Sequence, residues 1–173
     1  MRVLAVIDMQ NDFIDGALGT KEAQDIVPNV VKLIEKRRSE DAQIIFTMDT
    51  HEIFYLQTLE GKNLPIEHCI KGTQGWKITD KINTIPGDII VPKNTFGYLK
   101  WDMLLGPGVS EIEVIGLCTD ICVISNALIL RALYPNKNIV IYEDCTAGVT
   151  PEAKTAALEI AKANQIEVRK FKE

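Results

Sequence analysis

Six short runs of apolar, largely β-branched residues punctuate the chain: Val3-Leu4-Ala5-Val6-Ile7, Ile44-Ile45-Phe46, Ile89-Ile90-Val91, Ile112-Glu113-Val114-Ile115, Ile139-Val140-Ile141-Tyr142 and Ile166-Glu167-Val168. Each has the length and residue types of a strand. Between several of them the apolar period changes to that of a helix. Val27, Val30, Val31 and Ile34 fall at i, i+3, i+4 and i+7, with Lys32, Glu35 and Lys36 opposite; Ala153, Ala156, Ala157 and Ile160 repeat the spacing after Thr150 and Pro151, which suit the N-cap and first helical positions. Asp120 to Tyr134 is apolar nearly all round and predicts a helix buried on more than one side, stopped before Pro135.

Strands that are almost continuously apolar and alternate with helices predict an α/β fold: a doubly wound, mostly parallel six-stranded sheet with helices on both faces. Thr50 to Asp88 breaks the alternation. It is too long for an ordinary connection and has little helical period, so it predicts a functional loop region at about 50–88 with short helical turns. The chain has 173 residues, 46% of them hydrophobic and 25% charged, which suits a single globular domain over 1–173.

The net charge of −5 and one short basic cluster, Lys36-Arg37-Arg38, diluted by Glu35, Glu40 and Asp41, argue against nucleic acid as a partner. No apolar stretch approaches the ~20 residues of a membrane span, and the first apolar run meets Asp8 too early for a signal peptide. A cytoplasmic protein is expected, with no membrane partner. Four scattered cysteines, Cys69, Cys118, Cys122 and Cys145, do not make a disulfide scaffold, and in a reducing compartment such thiols are free for metal binding or nucleophilic work.

Ligands of open α/β sheets bind beyond the carboxyl ends of the strands. There this chain places Asp8, Asp49 and His51, Lys93, Cys118 and Cys122, and Asp144. Any one of them could be a turn or cap residue; together they predict a site. Gly116-Leu117-Cys118-Thr119-Asp120-Ile121-Cys122 reads as strand, tight turn and helix start, which puts the Cys122 thiol in a first helical turn where N–H groups favour the thiolate. A buried structural cysteine, or a redox pair of Cys118 with Cys122, are the alternatives. His51 and His68, the two histidines of the chain, form with Asp49 a two-His, one-carboxylate set suited to zinc, iron or manganese, with Glu60 and Cys69 as further possible donors. Isolated surface histidines are the alternative there.

In order along the chain, Asp8-Met9-Gln10-Asn11-Asp12-Phe13, Asp49-x-His51, Pro65-x-x-His68-Cys69-x-x-Gly72-Thr73-x-Gly75, Lys93 and Gly116-x-x-Thr119-Asp120-x-Cys122-Val123 resemble the isochorismatase-like cysteine hydrolases, specifically their nicotinamidase branch. The resemblance implies a Rossmann-like hydrolase fold and a catalytic triad of Asp8, Lys93 and Cys122. It further implies a cis Leu117–Cys118 peptide, with the backbone N–H groups of Cys118 and Cys122 as an oxyanion hole. One divalent metal ion would be held by Asp49, His51 and His68, with Glu60 matching an acidic ligand that some members carry. Zinc is the expected ion, with iron or manganese as alternatives, and the pyridine nitrogen of nicotinamide would take an open metal position.

Two departures alter the pocket wall: Leu64-Pro65 stands where nicotinamidases often have Trp-Pro, and Phe96-Gly97-Tyr98 where Tyr-Ser-Ala-Phe often follows the lysine. Phe13 and Phe96 remain to sandwich a flat ring. No role is evident for Trp76 or Trp101. The reading is therefore a metal-dependent amidohydrolase that converts nicotinamide to nicotinate and ammonia through a Cys122 thioester, with a small-molecule amide substrate and a homo-oligomeric assembly. Its rivals are a metal-independent hydrolase of a carbamoyl or ureido compound and a non-enzymatic metal or redox-sensing module, the last of which has no need of Lys93.

Overall fold

The computed structural model describes residues 1–172. All six apolar runs are strands: β1 (Arg2–Ile7), β2 (Gln43–Asp49), β3 (Ile89–Lys93), β4 (Glu111–Leu117), β5 (Asn138–Ala147) and β6 (Glu167–Arg169). They form one sheet in the order β3-β2-β1-β4-β5-β6. Every neighbouring pair is parallel, so the expected mostly parallel sheet is wholly so. Side chains alternate between the faces. Leu4, Val6, Ile44 and Phe46 join the core under α2 (Lys21–Ser39), while Val3, Ala5, Ile7 and Ile45 join the core under α5 (Ile124–Leu133) and α6 (Pro151–Ala163). Burial on both faces is why these strands lack the polar alternation of a half-exposed sheet.

The predicted helices form with two corrections. Thr20 and Thr150 each accept a hydrogen bond from the N–H three residues on, capping α2 and α6, and Val27, Val30 and Ile34 are buried as their spacing predicts. The buried face of α6, however, is Ala157, Leu158 and Ala161, whereas Ile160 is 51% exposed. The face turns because Lys154 lies on the sheet side of the helix, where its ammonium donates to the carbonyls of Glu143 (2.5 Å) and Thr146 (2.8 Å) on β5. Asp120 to Tyr134 is not one uniform helix but a π-helical turn (Thr119–Val123) that runs into α5. Val123, Ala127 and Leu130 are buried, but Leu133 is exposed and Ile124, Leu128 and Ile129 are half-buried, so burial is one-sided. Among the described residues no helix is long and apolar enough to cross a membrane.

Residues 50–88 carry a single 3₁₀ turn (Tyr55–Gln57) and α3 (Leu59–Asn63), and two one-turn helices, α1 (Asn11–Ile14) and α4 (Trp101–Leu104), complete the helices among the described residues. The order of strands reverses between β1 and β4, where the carboxyl ends leave a crevice. Gly116 makes this approach possible. Its φ is +112°, and a Cβ there would lie 2.0 Å from the carbonyl oxygen of Ile7 on β1. The following Leu117–Cys118 peptide is cis.

Because any side chain at 116 must both push β1 away and adopt a left-handed φ, Gly116→Ala is expected to destabilise the protein by about 3 kcal/mol. The measurement is the urea midpoint followed by far-UV circular dichroism, where a change below about 1 kcal/mol would contradict the close approach.

Candidate active site and metal centre

Asp8 follows β1 with a φ of +47°, a left-handed conformation that aspartate tolerates better than most residues. Thr47 of β2 fixes it there: the Asp8 N–H donates to the Thr47 hydroxyl (3.2 Å), which donates to Asp8 Oδ1 (2.6 Å). Lys93 ends the neighbouring β3, and its Nζ lies 2.6 Å from Asp8 Oδ2, 3.5 Å from Cys122 Sγ and 3.6 Å from Asp49 Oδ1. All four residues are buried. Burial raises the Asp8 carboxyl above its ordinary value, opposed by Lys93. For Lys93 burial acts in the lowering direction, but Asp8, Cys122 and Asp49 outweigh it and hold the ammonium charged.

The helix-start N–H groups expected to favour the Cys122 thiolate act against the surroundings of the sulfur. Burial, then the Asp8 charge, raise the Cys122 thiol well above its ordinary value, with Lys93 opposing; Lys93 Nζ donates to the sulfur at 3.5 Å. Lys93 thus bridges the Cys122 sulfur and the Asp8 carboxylate, the group placed to take the thiol proton. Cys118 is half-buried at the cavity wall, and burial pushes its thiol up to about 12.

Asn126, which sequence reasoning passed over, holds the turn that carries Cys122. Its amide donates to the carbonyls of Cys122 (2.8 Å) and Phe96 (3.2 Å), while its oxygen accepts from Tyr98 N–H (2.8 Å) and Trp101 Nε1 (2.9 Å). Trp101 thus has a structural task. A lone amide inside a largely apolar helix was the available signal, since buried polar groups need partners.

Asp49, His51, Glu60 and His68 form the second constellation, with one ligand atom from each lying within 4.8 Å of the others. His51 Nε2 is 3.0 Å from Asp49 Oδ2 and 3.6 Å from Glu60 Oε1, and His68 Nε2 is 3.6 Å from each of the same oxygens. A tetrahedral site with bonds of about 2.1 Å has edges of about 3.4 Å, so this donor set fits a divalent ion of zinc's size. The tautomer fits as well. His68 Nδ1 donates to the Ile66 carbonyl at 2.8 Å, which leaves the Nε2 lone pair facing inward. Burial raises the Glu60 carboxyl; burial would do the same to Asp49, but its bonds to His51 and His68, with Lys93 nearby, hold that carboxyl well below the usual range.

Several residues unassigned from sequence support these donors. Gln10 clamps the Asp49 backbone from both sides, accepting its N–H at 2.7 Å and donating to its carbonyl at 2.8 Å. The Asp12 carboxylate accepts the Cys69 N–H (2.8 Å), and the Cys69 carbonyl accepts the His51 N–H (3.0 Å). Tyr55 packs its ring 4.7 Å from that of His51 and 5.0 Å from that of His68. Trp76 donates to the Thr50 hydroxyl at 2.9 Å. Cys69, considered as a metal donor, is buried outside the cluster, and Glu60 supplies the acidic atom there instead. Asp144 does not reach the site: β5 continues to Ala147, and Asp144 Oδ1 accepts from the Phe171 N–H.

Both constellations open into one cavity of about 780 Å³, whose wall includes Asp49, Glu60, His68, Cys118 and Cys122. Phe13 lines it with its ring 5.5 Å from that of His68, and Phe96 lines it half-exposed.

Iodoacetamide should modify Cys118 and Cys122, which line the cavity, and spare the buried Cys69 and Cys145 until the protein unfolds. Because the folded protein holds the Cys122 thiol above its ordinary value, the labelling rate at Cys122 should keep rising through about pH 9, as read by mass spectrometry of peptides. A plateau below about pH 7 would mean that the thiolate is already formed at rest.

Residues 2–172 match the isochorismatase domain profile. A probable inactive nicotinamidase of Arabidopsis thaliana is 31% identical over 168 residues, covering 88% of this chain and 84% of that protein. Among solved structures, the pyrazinamidase of Pyrococcus horikoshii in complex with zinc superposes with a TM-score of 0.85 at 28% identity, over 98% of this chain and 99% of the other. The N-carbamoylsarcosine amidase of Thermoplasma acidophilum gives 0.84 at 31% identity, over 99% and 97%. The chain therefore belongs to the isochorismatase family of hydrolases, on its nicotinamidase branch.

Proposed function

We propose that this chain is a metal-dependent amidohydrolase that converts nicotinamide to nicotinate and ammonia through a thioester on Cys122. The observation that carries the reading is the position of Lys93, 3.5 Å from the Cys122 sulfur and 3.6 Å from Asp49 Oδ1, which joins nucleophile and metal-type donors at one cavity. Asp8 takes the Cys122 proton, and the thiolate attacks the carboxamide carbon. Backbone N–H groups of Cys118 and Cys122 receive the developing oxyanion. Asp8 returns the proton to the departing ammonia, then accepts one from the water that cleaves the thioester. Lys93 stays charged throughout and balances whichever partner is anionic. A divalent ion held by Asp49, His51, Glu60 and His68, with zinc as its first candidate, supplies a Lewis acid for the ring nitrogen.

The likeness to a carbamoylsarcosine amidase supports a second reading, hydrolysis of a carbamoyl or ureido acid. Such a substrate carries a carboxylate. Among the described residues lining the cavity there is no lysine or arginine to receive one, which favours the neutral amide. We further propose that the chain is a single hydrolase domain that works in the cytoplasm as a homo-oligomer; a sedimentation profile of a monomer at working concentration would contradict the assembly.

Cys122→Ala should lower kcat by at least about 10⁴-fold with the thermal midpoint nearly unchanged, and Lys93→Ala should be severe as well. Ammonia release from zinc-loaded enzyme should favour nicotinamide over benzamide by about two orders of magnitude in kcat/KM, because benzamide offers the ion no nitrogen. Equal rates on the two, or activity confined to carbamoyl compounds, would overturn the nicotinamidase reading. Chelation, or His51→Ala or His68→Ala, should raise KM for nicotinamide, with zinc content by mass spectrometry falling from one per chain.

A further inference from the structure

The cavity is larger and greasier than a single-ring amide needs. At about 780 Å³ it falls in the range that encloses drug-sized ligands. Besides its polar groups, much of the wall is Leu18, Leu59, Leu64, Phe96, Ile121 and Val149. Leu59 is 77% exposed, Val149 51% and Phe96 47%, so apolar surface stands in water at the rim. The subsite next to the nucleophile is built rather than incidental. Ile121 precedes Cys122 on the π-helical turn, and the Asp120 carboxylate of the same turn accepts the Val149 N–H at 2.9 Å, tying the β5–α6 connection to it. The Cys122 backbone is in turn held by Asn126.

We infer that the preferred substrate is a neutral aromatic carboxamide bearing an apolar ring substituent, which covers Ile121 and Val149 when the carboxamide meets Cys122. The inference rests on the amidohydrolase reading above and narrows its substrate class. An anionic substituent is disfavoured, since no lysine or arginine among the described residues lines the wall while Asp49 and Glu60 do. Each methylene moved from water onto such a wall tightens binding about fourfold.

The test measures ammonia release by zinc-loaded enzyme from nicotinamide and from nicotinamides carrying methyl, propyl or carboxyethyl groups at ring position 5 or 6. At one of the two positions the propyl compound should exceed nicotinamide by at least about tenfold in kcat/KM, through KM, while its carboxyethyl counterpart falls below nicotinamide. Ile121→Asn and Val149→Asn should each erase the gain with chain length. Propyl compounds no better than nicotinamide at both positions would overturn the proposal. Calorimetry on zinc-loaded Cys122→Ala separates it from the hydrolase reading. If no amide is turned over, that reading fails, and the subsite is still decided by whether the propyl compound binds tenfold more tightly or no more tightly than nicotinamide.

Discussion

A single buried ammonium organises this site. Lys93 lies among Asp8, Asp49 and Cys122, groups whose charged forms would repel one another if the cation were removed. A charge taken out of water is costly unless it is paired and hydrogen-bonded, and breaking such a pair leaves its partner stranded. The three acceptors come from the ends of β1 and β2 and from the turn after β4. Their mutual placement therefore depends on strand register as much as on side-chain choice. Thr47 and Gln10 extend the arrangement by holding Asp8 and Asp49 through hydrogen bonds that cross from strand to strand.

That dependence explains what the sequence could and could not show. The six strands were legible because burial on both faces demands runs of Val, Ile and Leu, and the ends of those runs already held Asp8, Asp49, Lys93 and the Cys118–Cys122 turn. The helix faces were less legible. The buried side of α6 is set by Lys154, whose bonds to β5 carbonyls outweigh the apolar stripe at 153, 156, 157 and 160, a competition that periodicity does not reveal. Likewise Lys36-Arg37-Arg38 reads as a surface basic cluster, yet Arg37 folds inward to form a two-pronged pair with the fully buried Glu113, at 2.6 and 2.8 Å, with the Tyr142 hydroxyl donating to the same carboxylate. A charge inside a core strand was visible; its partner, 76 residues away, was not.

The metal-type cluster shows the same division. The residue types of His51, His68 and Asp49 marked the chemistry, and Glu60 was one of two further possible donors, beside Cys69. The residues that aim them, Gln10, Asp12 and Tyr55, act through backbone bonds and ring contacts with no fixed spacing from the donors. Such support is invisible until the loop at 50–88 is folded back over β1 and β2. Asn126 differs, because an amide in a largely apolar helix is a local anomaly that can be read without the fold.

Lys93 also sits on an edge strand. Among the described residues β3 pairs only with β2, and Pro92 lacks the N–H that a further strand would use. Edge strands open before the centre of a sheet does. The charge that joins the candidate nucleophile to the metal-type donors is thus carried by an edge strand, so the site can come apart before the centre of the sheet does. Mild denaturant or heat would silence the enzyme through fraying at one margin while the central strands, and most of the spectroscopic signal of structure, persist.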